Sequence, residues 1–209
     1  MVLSLKNVSK KLKNKTVLDN ISVDFKSGVI YGLTGKNGSG KTMLLRAISG
    51  LIKIDNGEIS LNGEKINNNK NKVTDIGIMI ENMGLYPNFC AYDNLFYLTS
   101  LNKKVSKEVI NNYIEKVGLD KNDKTPYKKY SLGMKQRLIF AQAIYENPSV
   151  LLLDEPTNAL DESGIEIVRN CIKELKSNDR IIIITSHNKE DISFLSDEVY
   201  VMSKGRLEV

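Results

Sequence analysis

Residues 2–26 alternate apolar and polar side chains around a turn-like Lys13-Asn14-Lys15. Val17, Leu18, Ile21, Val23 and Phe25 suit a β-ribbon better than a helix, because successive strand side chains point to opposite faces. Later apolar runs are continuous instead: Val29–Leu33, Asp75–Ile80, Val150–Leu153 and Arg180–Thr185. Continuous runs of this length predict strands of a parallel sheet covered on both sides. Glu58–Gly63 reads as a short strand and turn after the turn signal Asp55-Asn56-Gly57, and Glu198–Met202 and Arg206–Val209 complete the sheet. Asn67–Asn71 is a polar loop tip.

Helical spacing takes over in between. Met43–Ile48 reads as one helix. Ala91–Leu101, with Leu95, Leu98 and Leu101 on one face, and Ser106–Val117 read as two more. Ser131 precedes a long amphipathic helix through Leu138, Phe140, Ala141, Ala143 and Ile144, which Asn147-Pro148 ends. Asp161–Leu175 follows as another. Alternating strands and helices mean an α/β fold that takes ligands at the carboxyl ends of its strands. The pattern predicts a single domain over 1–209, with a helical subdomain of about 85–130 inserted between two sheet strands.

Composition adds little to this. Of 209 residues, 41% are hydrophobic and 26% charged, an ordinary globular balance. No apolar run reaches the roughly 18–20 residues of a membrane span, and Met1–Lys6 lacks the layout of a signal peptide. The expectation is a cytosolic chain whose membrane role, if it has one, needs a separate partner. The end soon after the last strand predicts no C-terminal regulatory domain. Cys90 and Cys171 match no metal or redox spacing and read as reduced structural thiols. The net charge of +5 comes from dispersed lysines such as Lys10, Lys103, Lys121 and Lys129. Without an arginine-rich stripe or tryptophan, no nucleic-acid partner is expected.

Chemistry concentrates in Gly35-Lys36-Asn37-Gly38-Ser39-Gly40-Lys41-Thr42, which matches the phosphate-loop template G-x-x-x-x-G-K-[ST] between a strand and a helix opening at Met43. Glycines let backbone N–H groups curl around an anion, and the positive helix end faces the same phosphates. Lys41 is expected to reach the β/γ-phosphates, and Thr42 to bind Mg²⁺. The strand at 150–153 ends in Asp154-Glu155. By itself this is equally a solvated acidic strand end; opposite a phosphate loop, Asp154 can hold Mg²⁺ and Glu155 can polarise a water. His187, the only histidine, follows strand 181–185, where it can donate to a γ-phosphate. Ser131, with Gly133 nearby, offers a hydroxyl and N–H groups to an anion or simply caps a helix.

Taken in order, the phosphate loop, Ser131–Gly133, Asp154-Glu155, Asn158-Ala159-Leu160-Asp161 and His187 resemble the ATP-binding-cassette (ABC) ATPases over essentially the whole chain. The resemblance implies a RecA-like P-loop core, an N-terminal antiparallel β subdomain and a helical subdomain. It implies ATP and Mg²⁺ as ligands, and a homodimer paired head to tail. Each ATP would lie between one phosphate loop and the Ser131 segment of the other copy, with Asp161 helping across the seam. It also implies a separate transmembrane permease that holds the chain to the inner face of the membrane.

Three positions depart from the family. The signature, usually Leu-Ser-Gly-Gly-Gln, reads Tyr130-Ser131-Leu132-Gly133-Met134. A glutamate, Glu81, replaces the glutamine near the metal. Leu12 stands where an aromatic usually stacks on adenine. The first two, with Gly84–Asn88, are similar to ATPases of bacterial antibiotic and lantibiotic-immunity exporters. A cassette for cofactor assembly stays open as an alternative to an exporter. The stretch between Thr42 and Ser131 has no room for the coiled coil of repair-type cassettes. A small-molecule P-loop kinase gives no account of Ser131 or His187.

Overall fold

The computed structural model describes residues 1–66, 75–81, 83–99 and 105–208. The polar stretch 67–71, Leu101, Lys103 and Val209 lie outside the described residues. The chain forms two sheets. In the first, β1 (Val2–Leu12) and β2 (Lys15–Lys26) make an antiparallel ribbon, with Lys13 at φ 53° in the turn. Strands β4 (Asn56–Leu61) and β5 (Glu64–Lys65) extend it in the order β2-β1-β4-β5. The alternation of residues 2–26 buries Leu3, Leu5, Leu18, Ile21 and Phe25 and leaves their neighbours wetter.

The second sheet contains β3 (Ile30–Thr34), β6 (Ile76–Met79), β7 (Val150–Asp154), β8 (Ile181–Thr185), β9 (Glu198–Ser203) and β10 (Arg206–Glu208). Its order is β10-β9-β3-β8-β7-β6, parallel except for the antiparallel β9–β10 edge. Every residue of β7 and β8 is buried. Val150, Leu152, Ile181 and Ile183 face the layer that holds the ribbon and α1 (Lys41–Ile48). Leu151, Leu153, Ile182 and Ile184 face a second core containing α4 (Leu132–Ile144) and α5 (Glu162–Leu175). Two covered faces explain why these runs are apolar without alternation. The strand order sets the carboxyl ends of β3, β8, β7 and β6 side by side along one edge.

Helices α2 (Ala91–Thr99) and α3 (Lys107–Lys116) follow β6 and pack against each other. Helix α4 differs from the amphipathic expectation, since Leu138, Ile139, Phe140 and Ala141 are buried in succession. It is enclosed by α3, α5 and β6, and its backbone comes so near β6 that a Cβ on Gly77 would stand 2.0 Å from the Ala143 carbonyl oxygen. A seven-residue helix, α6 (Lys189–Leu195), was not expected. Its cap was readable, with the Asn188 side chain accepting from the Glu190 N–H, but about two turns of helix carry little periodicity. Both cysteines are free and buried, and burial pushes the Cys171 thiol up to about 11, so it stays protonated and inert.

Candidate functional site

The loop from Gly35 to Lys41 crosses the carboxyl end of β3 and turns into α1. Gly40 caps the helix at φ 115°, and a Cβ there would stand 2.6 Å from the Val17 carbonyl oxygen. Only glycine fits both demands. Lys41 is buried, and its Nζ donates to the carbonyls of Gly35 at 2.7 Å and Lys36 at 3.5 Å. Among the described residues no carboxylate pairs with it. The Ser39 hydroxyl, also buried, has no hydrogen-bond partner among the described residues. A buried cation satisfied only by neutral carbonyls, beside an orphaned hydroxyl and unpaired helix N–H groups, fits an anion held in the loop.

The end of β7 carries the acids. Asp154 is 2% exposed, and its two oxygens accept from the Thr42 hydroxyl at 2.7 Å and the Thr185 hydroxyl at 2.5 Å. Glu155 takes φ 51°, the left-handed region that a non-glycine residue adopts only when its surroundings force it. Here they do: its N–H donates to the Thr185 carbonyl at 3.0 Å, and its carbonyl accepts from the Gln136 side chain at 3.0 Å and the Asn158 N–H at 3.1 Å. The twist brings the carboxylate to His187, whose Nδ1 lies 2.8 Å from Glu155 Oε2. His187 itself is exposed.

These groups line one open cleft of about 520 Å³. Asn37 to Met43, Glu81, Asp154, Glu155, Asn158 and His187 form its wall, and Leu12, Lys15 and Val17 close one side. Gly35 and Lys36 line an adjoining groove with Val201 to Gly205. Thr42, Glu81 and Asp154 supply oxygen donors alone, the set a hard cation such as Mg²⁺ takes. Among the described residues no three His, Cys, Asp or Glu side chains gather to cage a metal, so a cation here would complete its shell with phosphate and water.

Three expected residues lie elsewhere. Ser131 is exposed and caps α4 by accepting from the Met134 N–H at 3.1 Å. Asp161 is exposed and caps α5 through the Gly164 N–H at 2.9 Å. Gly133 rests on the segment leading to Asp161, where a Cβ would be 3.4 Å from the Ala159 carbonyl oxygen. None of the three lines the cleft. They form a second group, with Leu132 67% exposed between Ser131 and Gly133. Sequence reasoning quoted Asn158 within a motif without giving it a role, and assigned nothing to Thr185 or Gln136; the one signal for Thr185 was a threonine ending an unbroken isoleucine run.

The ABC transporter family profile matches residues 18–158, so the chain belongs to that family. It is 50% identical over 202 residues to the uncharacterized ABC transporter ATP-binding protein YybJ of Bacillus subtilis, covering 97% of this chain and 93% of that one. It is 36% identical to the lantibiotic transport ATP-binding protein SrtF of Streptococcus pyogenes, over 99% and 89% of the two chains. Identity to the bacitracin transport ATP-binding protein BcrA of Bacillus licheniformis is 37%, over 99% and 68%. The fold is similar to the dimeric structure of MJ0796, an ABC transporter cassette, with a TM-score of 0.90 at 22% identity, covering 99% and 97%. The chain is an ATP-binding ATPase domain of the ABC transporter type.

Proposed function

We propose that this chain hydrolyses ATP between two head-to-tail copies of itself and so drives a separate membrane permease, as an exporter. The observation that carries the reading is the division of the site residues. The cleft holds a phosphate loop, a metal-type donor set and a base, while Ser131, Gly133 and Asp161 stand together on another exposed part of the surface.

In this reading Lys41 and the N–H groups at the start of α1 hold the β/γ-phosphates. Thr42 and Asp154, with Glu81 beside them, would hold Mg²⁺, which when bound neutralises charge between the phosphates. Glu155, fixed in its left-handed twist, accepts the proton of the attacking water. A neutral His187 can donate to only one acceptor; the imidazolium donates from both nitrogens and can join Glu155 to a γ-phosphate oxygen. Ser131 and the N–H groups of Leu132 and Gly133 from the second copy would close over the same phosphate, with Asp161 at the seam. The exposed Leu132 would be covered there.

Residues 85–130 are the inserted helical subdomain. Tyr86, Phe89 and Tyr97 cluster on its surface with ring centroids 4.9–6.0 Å apart, each more than a third exposed. Such a patch suits docking on the permease, just beyond Glu81. No described helix is long and apolar enough to cross a membrane, so the chain would sit on the cytoplasmic face through that contact. Export is supported by the relatives SrtF and BcrA, whose names assign them to lantibiotic and bacitracin transport. The test is affinity purification of the tagged chain from solubilised host membranes. A polytopic membrane protein should copurify and raise ATP turnover; recovery of the chain alone from membranes and cytosol would contradict the reading.

A further inference from the structure

Asp191 lies in the first turn of α6, 2% exposed and outside the cleft. Its Oδ1 accepts from Arg169 of α5, at 2.7 Å from Nε and 2.6 Å from Nη2. That ion pair joins α6 to α5. The second oxygen, Oδ2, is used differently. It accepts one hydroxyl from each of two loops, Thr157 at 2.5 Å and Ser186 at 3.2 Å. Both donors are buried. Thr157 sits between Glu155 and Asp161, and Ser186 directly precedes His187. The Ser186 oxygen also accepts from the Asn188 N–H at 3.0 Å, tying this loop to the start of α6. A simple packing role at either loop position could be filled by an apolar side chain of the same shape, with no polar group to satisfy.

We propose that Asp191 is a positioning residue: through Thr157 and Ser186 it locks the Glu155–Asp161 loop and the His187 loop into one unit. The base, the γ-phosphate reader and the seam residue then take up their working arrangement together. A network whose members share one buried acceptor behaves as a unit, and losing any one contact loosens the rest. This inference rests on the reading of the cleft as the ATP-hydrolysing site.

The test uses the full-length chain with Thr157→Val, Ser186→Ala, the double variant, Thr157→Ser and Asp191→Asn. The two single deletions remove a hydroxyl and no charge, so they keep the question answerable if Asp191→Asn fails to fold. Each should lower kcat at least about fivefold while KM and equilibrium ATP binding stay within about twofold, since a lost buried hydrogen bond to a charge acts here on loop placement alone. Thr157→Ser, which keeps the hydroxyl, should restore the rate. The double variant should be no slower than the slower single, because both act through one carboxylate. A lowered melting temperature with unchanged kcat would overturn the proposal, as would rate losses that multiply in the double variant. A wild type that binds ATP without turning it over would overturn the reading of the cleft and this inference with it, whereas normal wild-type turnover with unaffected variants would overturn this inference alone.

Discussion

The cleft and the Ser131 group are built in opposite ways. In the cleft, Lys41 and Asp154 are buried, with Thr185 behind Asp154, and each is held by partners in the same chain. Glu155 is kept in a costly backbone conformation by hydrogen bonds from three directions. In the other group, Ser131, Leu132 and Asp161 are exposed, and among the described residues the two polar side chains do no more than cap helices. A prearranged surface can bind phosphate alone. An exposed one gains its chemistry only when something is laid against it. On the proposed reading, nucleotide binding needs one chain and turnover needs two. Gln136 connects the halves, since it belongs to the helix that Ser131 caps and holds the Glu155 carbonyl.

The widest test of the cleft is Lys41→Ala. It removes the buried cation that faces the loop among the described residues, and ATP binding and hydrolysis should both be lost; wild-type turnover would remove the loop from the site. Glu155→Gln should spare binding and cost at least ~10²-fold in turnover, the usual size of a general-base contribution. In ATP it should accumulate as a dimer if, as proposed, opening follows hydrolysis; a sedimentation profile of monomer alone would count against pairing. Nucleobase choice should be loose. Leu12 is half-exposed in the cleft, and among the described residues no aromatic ring lines the cleft or the adjoining groove. A missing stack forfeits ~1–3 kcal/mol, so GTP should support hydrolysis within about tenfold of ATP; a preference above about a hundredfold would contradict this. The smallest effect is expected at Glu81. A carboxylate beside Asp154 and Glu155 should make nucleotide binding depend on metal more steeply than an amide would. Rate against free Mg²⁺ should therefore differ in midpoint between wild type and Glu81→Gln; superimposed curves would leave Glu81 a surface contact only.

How much of this the sequence carried follows from what each feature depends on. Strands buried on both faces betray themselves as unbroken isoleucine and leucine runs, and the phosphate loop is contiguous in sequence. Both were legible. Helix α6 was not, because seven residues barely complete an amphipathic pattern. The successive burial of residues 138–141 in α4 was missed because it depends on packing against α3, α5 and β6, a tertiary fact. Thr185 and Asp191 were passed over for a related reason. Thr185 meets Asp154 because β8 lies between β3 and β7, an order that adjacent residues do not encode. Asp191 gathers Thr157, Arg169 and Ser186 from three segments at once.

The central claim is that each working site is shared by two copies. Mixing two inactive variants tests it directly: Glu155→Gln, which spoils a copy's own cleft, and Ser131→Arg, which spoils the surface presented to its partner and also removes the cap of α4. In the mixed dimer one cleft carries both lesions and the other carries none. A random one-to-one mixture should recover about a quarter of the wild-type rate, since half the dimers are mixed and each has one intact site of two. If the mixture stays as inactive as its components, or if Ser131→Arg alone retains wild-type turnover, the site is not shared in this way.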